Sequence, residues 1–463
     1  MSQPNIVLVI MDTVRAKNLP MYGYHKNTMP FLNKISKKSI LYKNAYSNAP
    51  WTIPSHATLF TGKNQSEHYV IGIEDKLRTE TLAEKMKRMG YHTFGVSNNP
   101  LITALTGFDK GFDKFYSIIE QKNELLSEDE TLIKKIFQLR TYEKSFIKRV
   151  FKLFVFSVRR KKVKEFIKIV LSRIASRIRN TSFHDKGANK TNKIIEKELK
   201  TLKQPFFIFI NYLEAHSPYD APKRIKKMFN APQDRVEIVE FMRENHTKDL
   251  ELINNAYDAG LYYLDTKLKE LYYIFKKNNL LKNTIFIFTS DHGEFLGEHG
   301  YFGHELDVYP EVIKIPLIIK FPNNKHAHIK EEVSLKDVYF MILNNFKLSQ
   351  KNVFIEYYGL DTFTTKIPLS LRYRGIKKNI LKKTSQYMAA IIENGVELIL
   401  REDGEETIHI DKKDVPTDEV STLRQKLLKE VGKIKLKRTH YFNRKRLINK
   451  LRGIKHGKNR NLR

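Results

Sequence analysis

Ile6-Val7-Leu8-Val9-Ile10 is an unbroken aliphatic run, the pattern of a strand covered on both faces, and an acid, Asp12, stands at its end. Runs of the same kind at Thr93–Val96, Phe206–Ile210, Thr284–Thr289 and Pro316–Phe321 predict further strands. Helical spacing over Leu77–Met89 and Asn254–Asn278 predicts helices between them. The alternation implies an α/β fold, a mostly parallel sheet with helices on both faces. Ligands in such sheets gather at the carboxyl ends of strands, so position alone makes Asp12 a site candidate. Further on, Tyr387–Ile392 and Val396–Arg401 are joined through Glu393-Asn394-Gly395 and read as a hairpin inside a smaller α+β region.

Between Lys144 and Arg179 the texture changes: thirteen Lys or Arg face one acid, Glu165, while Ile147, Val150, Phe151, Phe154, Val163, Phe166, Ile167, Val170 and Ile174 keep a helical period. A basic amphipathic helix can lie in a membrane interface, or its apolar face can cover the body of the protein, and both readings stay open. After Glu430 there is no acid and the last stretch carries thirteen Lys or Arg, a polybasic end. The expected organisation is a catalytic domain over 1–340 with a basic helical insertion at 117–200, an α+β subdomain over 341–430, and a tail over 431–463.

The formal charge of +32 over 463 residues points to an acidic partner and says little about fold. A nucleic-acid reading would rest on charge alone, with no recognised module. With no cysteine, a disulfide framework and thiolate metal ligands are both excluded. Ile6–Met11 is too short for a signal-peptide core or a membrane span, so the expectation is a cytoplasmic chain, with peripheral contact at the anionic inner membrane face.

Asp12, Asp291 and His292 end two predicted buried strands, and Thr52 opens the turn Thr52-Ile53-Pro54-Ser55-His56. Carboxylate with imidazole suits one divalent ion, Mn, Mg, Zn or Ca. A free Thr hydroxyl is a poor nucleophile, and coordination to a dication lowers its pKa. Pro54 and Ser55 fit a helix start, whose free N–H groups favour an anionic ester beside Thr52.

In order, MDTVRAKNLPMYGY, APWTIPSHATLFTG, YLEAHSPY, SDHGEFLGEHGYFGHE and YPEVIKIPLIIKFP resemble the landmarks of the sulfatase branch of the alkaline phosphatase superfamily, over about Asn5 to Pro322. The resemblance implies an alkaline phosphatase/sulfatase-like sheet with a small C-terminal subdomain, and ester-cleaving chemistry at a metal. Thr52 stands where sulfatases carry the Cys or Ser that becomes formylglycine, so that nucleophile cannot form. Thr nucleophiles occur in similar phosphoethanolamine transferases and lipoteichoic acid synthases, which favours phosphoryl over sulfuryl ester chemistry. His216 matches a family histidine near the leaving oxygen and is a candidate general acid. His304 takes the place of a lysine on the ester oxygens, and His56 that of an arginine holding the nucleophile. Asn99 is a candidate substrate contact. Arg15 either pairs near Asp12 or faces the ester, and His299 reads as scaffold. A second metal would need an acid four residues before His216, where Tyr212 stands, so one ion is expected.

The leading expectation is therefore a metalloenzyme in which Thr52 attacks a phosphate or sulfate ester, glycan- or lipid-linked. One alternative is a phosphoethanolamine- or phosphoglycerol-type transferase. Another is a catalytically silent basic adaptor for membranes or polyanions.

Overall fold

A computed structural model of the protein describes residues 3–118, 146–159, 163, 166–167, 183, 185–238, 250–347, 352–360, 378–410, 416 and 418–432. Strand β1 (Asn5–Met11) is buried at every position, as its unbroken aliphatic run requires. Its side chains alternate between two cores. Val7, Val9 and Met11 face a layer containing Ile208, Ile210, Tyr257 and Leu264. Ile6, Leu8 and Ile10 face one containing Trp51, Ile53, Phe60 and Phe209. Each fully buried aliphatic side chain contributes on the order of 1.5–3 kcal/mol, so β1 anchors both layers.

The other strands are β2 (Ile40–Tyr46), β3 (His92–Ser97), β4 (Lys114–Ser117), β5 (Phe206–Tyr212), β6 (Thr284–Thr289), β7 (Phe295–Leu296), β8 (Phe302–Gly303), β9 (Lys314–Lys320), β10 (Ala327–Ser334), β11 (Val353–Tyr357), β12 (Met388–Glu393), β13 (Val396–Arg401) and β14 (Glu406–Ile410). The large sheet has the order β10-β2-β9-β6-β1-β5-β3-β4. Only β9 runs against its neighbours β2 and β6, so the sheet is mostly parallel as expected. Strands β11 to β14 make a separate antiparallel sheet, the small C-terminal unit, with the expected hairpin between β12 and β13.

The register positions the site. In β1, Ile10 pairs with Asn211 of β5 and with Thr289 of β6, so three strands end at one level and Asp12, Asn211 and Ser290–His292 meet there. Helix Thr52–Thr61 is buried along its whole length. It stops at Gly62, where φ is +64° and a Cβ would stand 2.4 Å from the Tyr339 ring, a position only glycine fills without strain. The 28-residue helix Leu250–Lys277 covers the opposite face.

The elements differ from expectation in places. The helix predicted from Leu77 begins at Leu82, because Thr81 caps it: Thr81 Oγ1 accepts from the Glu84 N–H (3.1 Å) and Glu84 Oε2 accepts from the Thr81 N–H (2.8 Å). Strands β2 and β10 were not foreseen, since Lys43, Asn44 and the Lys330-Glu331-Glu332 run interrupt their apolar pattern near a sheet edge.

Of the predicted basic insertion, helix Phe146–Arg159 is described, with Leu153 and Ser157 buried and Phe151, Phe154 and Val158 exposed. Helix Ala188–Glu198 buries Ala188 and Ile195 in the main core. Val170, Ile174 and the tail from 433 onward lie outside the described residues. Among the described residues no helix is long and apolar enough to cross a membrane.

Candidate active site

At the ends of β1 and β6, Asp12, Asp291 and His292 each offer one ligand atom, and these atoms lie within 4.8 Å of one another. All three side chains are fully buried. Asp12 Oδ2 accepts from Asn99 Nδ2 at 2.6 Å and from Asn211 Nδ2 at 3.4 Å, while Oδ1 has no hydrogen-bond partner. Asp291 Oδ1 accepts from the N–H groups of Thr13 (3.2 Å) and His292 (2.9 Å), and Oδ2 has none. Leaving a buried carboxylate oxygen unsatisfied is costly, and two converging on one spot ask for a cation.

His292 makes the same demand. Its Nδ1 donates to the Gly293 carbonyl at 2.8 Å, so in the neutral ring the Nε2 lone pair faces Asp291 Oδ2, 3.2 Å away. Two acceptors at that distance need a proton or a metal between them. Without a metal the proton wins: burial alone would lower the His292 pKa, but the Asp291 and Asp12 carboxylates outweigh it and raise it to about 9. Burial likewise works to raise Asp291, and His292 and His56 hold it below the ordinary carboxylate range instead. Asp12 moves up, through burial and the repulsion of Asp291. The donor set therefore fits one hard or borderline divalent ion.

Thr52 is the first residue of its helix, and its Oγ1 lies 3.3 Å from His292 Nε2. The turn is tied to the loop after β6, because Ser55 Oγ donates to the Asp291 carbonyl at 2.5 Å. Thr13, a β-branched residue held at φ +61°, turns the chain directly after Asp12, and its carbonyl accepts from Tyr257 Oη at 2.8 Å. Such a conformation is sparsely populated and persists where its surroundings enforce it.

His56 is buried among Phe108 and Phe209 and touches Thr52 through its backbone: Nδ1 donates to the Thr52 carbonyl at 2.9 Å, and Nε2 accepts from Asn211 at 3.3 Å. Asn99 meets Asp12, and its own Oδ1 accepts from the Leu101 N–H at 2.8 Å, so both ends of its amide are engaged inside the protein. Arg15 has its guanidinium distributed over Asn18 Oδ1 (2.5 Å), the Glu294 carbonyl (2.8 Å) and Glu298 Oε1 (2.8 Å). Of its two expected roles this is the pairing one, with Glu298 rather than Asp12 as partner. His299 stacks on Tyr309 and lies 3.4 Å from Glu311, a scaffold position.

His216 and His304 converge on the site. Their ring centroids are 5.3 Å apart, and His304 lies 4.3 Å from the ring of His292. His304 Nδ1 donates to Glu294 Oε1 at 2.8 Å, and Tyr219 Oη donates to Glu294 Oε2 at 2.7 Å. Burial pushes Glu294 up, but His304 and His216 hold it below its usual range, a carboxylate facing imidazole. His216 donates from Nδ1 to the Ser217 carbonyl, and burial lowers its pKa against the pull of Asp12. The Lys186 ammonium donates to the carbonyls of Glu214 and His216 and so braces this loop.

Asn211, Glu294 and Lys186 were missed from sequence. Asn211 ends an identified strand and Glu294 follows Asp291-His292-Gly293, so both were within reach; nothing local marks Lys186.

The buried acid–imidazole cluster and its strand-end placement agree with one match. Residues 4–347 match the sulfatase family. The chain belongs to the sulfatase family. It is 24% identical over 372 residues to an arylsulfatase of Clostridium perfringens, covering 73% of each chain. It is 25% identical over 375 residues to an N-acetylglucosamine-6-O-sulfatase of Bacteroides thetaiotaomicron, covering 69% of this chain and 63% of that relative. In fold it resembles the phosphonate monoester hydrolase of Agrobacterium radiobacter, with a TM-score of 0.64 at 17% identity over 95% of this chain and 96% of the other. This sulfatase-family membership places the chain among ester hydrolases, in a family that normally uses a divalent metal.

Proposed function

We propose that this sulfatase-family protein cleaves or transfers a phosphoryl ester through Thr52. The observation that carries the reading is the placement of Thr52 Oγ1 3.3 Å from His292 Nε2, beside two buried carboxylate oxygens without partners. Asp12, Asp291 and His292, together with Thr52 Oγ1, would hold one divalent ion. When bound, that ion lowers the pKa of the Thr52 hydroxyl and screens the charge of the ester.

The protein's own groups supply the rest. The N-terminus of helix Thr52–Thr61, where Thr52 and Ile53 precede the first intrahelical bond at Ser55, favours the ester oxygens, and His304, oriented by Glu294, donates to them from Nε2 when its ring carries both protons. Thr52 Oγ1, its proton given up to solvent, forms a bond to phosphorus as the bond to the leaving oxygen breaks. His216 gives that oxygen its proton. Burial lowers the pKa of His216, so a protonated ring gives its proton up readily, and Nε2 takes one back from the water or alcohol that then displaces phosphate from Thr52. Asn99 and Asn211 act through Asp12, and His56 through the Thr52 backbone. A sulfated Thr would not be released by the elimination open to a hydrated aldehyde, which favours phosphorus over sulfur.

The same reading takes the substrate to be an anionic ester on a glycan or lipid. The exposed Phe151, Phe154 and Val158 on a basic helix support peripheral contact with an anionic membrane, on the cytoplasmic side. Loss of vesicle sedimentation in a triple serine variant at these positions would support that contact, and unchanged sedimentation would remove it.

The test is to restore manganese, magnesium, zinc or calcium to metal-stripped protein and offer aryl phosphate, aryl phosphodiester and aryl sulfate, with and without an acceptor alcohol. Metal-dependent phosphoester turnover, and a phosphoryl adduct on the Thr52 peptide, are expected and should vanish in Thr52→Ala. Turnover of the sulfate alone, or activity surviving that substitution, would overturn the reading. Product bearing the acceptor alcohol would identify a transferase.

A further inference from the structure

Away from the site, helices Pro30–Ser36 and Leu250–Lys277 enclose a groove of about 410 Å³ that the ester chemistry does not use. The long helix touches the site near Tyr257, whose hydroxyl donates to the Thr13 carbonyl at 2.8 Å. Lys269 lies twelve residues further along, so the groove is roughly 18 Å down the helix from the ester-binding end.

The lining is aromatic with a cationic rim. Tyr262, Thr266, Lys269 and Tyr273 follow one another at helical spacing on a single face, and Phe31 and Lys34 face them from the shorter helix. Tyr273 is 50% exposed and Lys276 stands over its ring, 5.5 Å from the centroid. Lys34 and Lys269 are exposed and have no ion-pair partner among the described residues. The single acid in the lining, Asp265, is buried and engaged, accepting from the N–H groups of Phe31 (2.7 Å) and Leu32 (2.9 Å). Neighbouring acids are engaged elsewhere: Glu270 pairs with Lys267 and Glu196 with Lys277. Although Asp265 feels the charge of Lys269, the lining sets three lysines, Lys34, Lys269 and Lys276, against that one buried acid, so the groove presents net positive charge beside an exposed aromatic face.

We propose that this groove binds an acidic saccharide, seating a sugar ring on Tyr273 and its sulfate, carboxylate or phosphate on Lys34 and Lys269. Charge complementarity selects an anion. Tyrosine and threonine hydroxyls among the rings suit a hydroxylated ring better than an acyl chain, and the volume lies within the ordinary range for small-ligand sites. The groove would hold an acidic polymer to the protein independently of what Thr52 does.

The experiment is calorimetric titration of the full chain with a sulfated heparin-type disaccharide, its desulfated counterpart and a short oligothymidylate. Because the whole chain is basic, Lys34→Glu with Lys269→Glu is compared with a double charge reversal of equal size at exposed Lys325 and Lys330. Tyr273→Ala is measured beside them, with circular dichroism to check folding. Affinity for the sulfated sugar should fall about tenfold or more in the groove variants and about twofold or less in the control. Equal loss in both double variants, or equal affinity for the desulfated sugar, overturns the proposal. Tighter oligothymidylate binding that depends on the same three residues makes the groove a nucleic-acid site and overturns it too. Since no turnover is read, failure here leaves the Thr52 chemistry untouched, and failure of that chemistry leaves the groove untouched.

Discussion

Asn99 Nδ2 lies 2.6 Å from Asp12 Oδ2, and the other oxygen of that carboxylate, Oδ1, is buried without a partner. The amide fixes the orientation of a carboxylate that offers one oxygen to the cluster with Asp291 and His292. Losing such an orienting contact typically costs 10–100-fold in metal affinity. Asn99→Ala is therefore expected to weaken manganese binding by about 10–100-fold in calorimetric titration, with little change in melting temperature of the metal-free protein. Unchanged affinity would show that Asp12 needs no such guide.

With a metal held as proposed, metal and proton would compete for His292. In the metal-free protein its pKa is raised from 6.5 to about 9 by Asp291 and Asp12, against burial. A histidine raised on folding contributes stability that is complete below its unfolded pKa and lost as pH climbs through the folded value. The metal-free melting temperature should thus decline between roughly pH 6.5 and 9, and metal affinity should rise over the same window. At pH 7.5, titration in two buffers of different ionisation enthalpy should detect release of about one proton per ion. No buffer dependence would mean that His292 is already deprotonated, or does not bind.

A second pH effect arises outside the Asp12–Asp291–His292 cluster. Glu356 on β11 is buried, and burial raises its pKa from 4.5 to about 7 although Ser66 and Tyr358 donate to it. Its contribution to stability is complete below pH 4.5 and falls as pH rises through 7, because ionisation is then forced in a dry setting. Glu356→Gln should raise the melting temperature at pH 8 relative to the native protein and lose that advantage near pH 5. A variant less stable at both pH values would mean that the ionised carboxylate is matched to its donors.

How much of this was legible along the chain follows from how each residue is paired. Strands β1, β5 and β6 are covered on both faces, so their apolar runs announce them, and Asp12, Asp291 and His292 are conspicuous as the polar residues that end such runs. Strand β10 has intermediate or exposed residues from Ala327 to Glu332, and its mixed sequence carries no comparable signal. Thr52 was readable from its turn. Asn99 and His56 were recognised as site residues, but the contact of Asn99 with Asp12 depends on strand register, while that of His56 with the Thr52 carbonyl is one helical turn away. Arg15 illustrates the same limit: its partner Glu298 stands nearly three hundred residues away, and no local spacing chooses between that carboxylate and an ester. Lys186 stands beside the end of the basic stretch and braces the His216 loop, a link that exists only in three dimensions.

Gly293 follows His292, and its position shows how little room the loop after β6 has. A Cβ built there would stand 2.3 Å from the Glu311 carbonyl oxygen and 2.9 Å from Arg15 Cβ. The first neighbour is backbone, tied into the same strand-like contact by the Gly293 N–H donating to the Val312 carbonyl at 2.5 Å, so it cannot swing aside as a side chain would. Gly293→Ala must therefore displace the loop, at a cost of about 1–3 kcal/mol in the manner of an overpacked core. The shift carries His292 with it, because His292 Nδ1 is held by the Gly293 carbonyl. The expected result is a melting temperature lowered by several degrees together with manganese affinity lowered by about tenfold or more, measured on the same preparation. A stability loss with metal affinity intact would separate the loop's packing from its hold on His292, and would move the orienting role to the Asp291 side of the cluster.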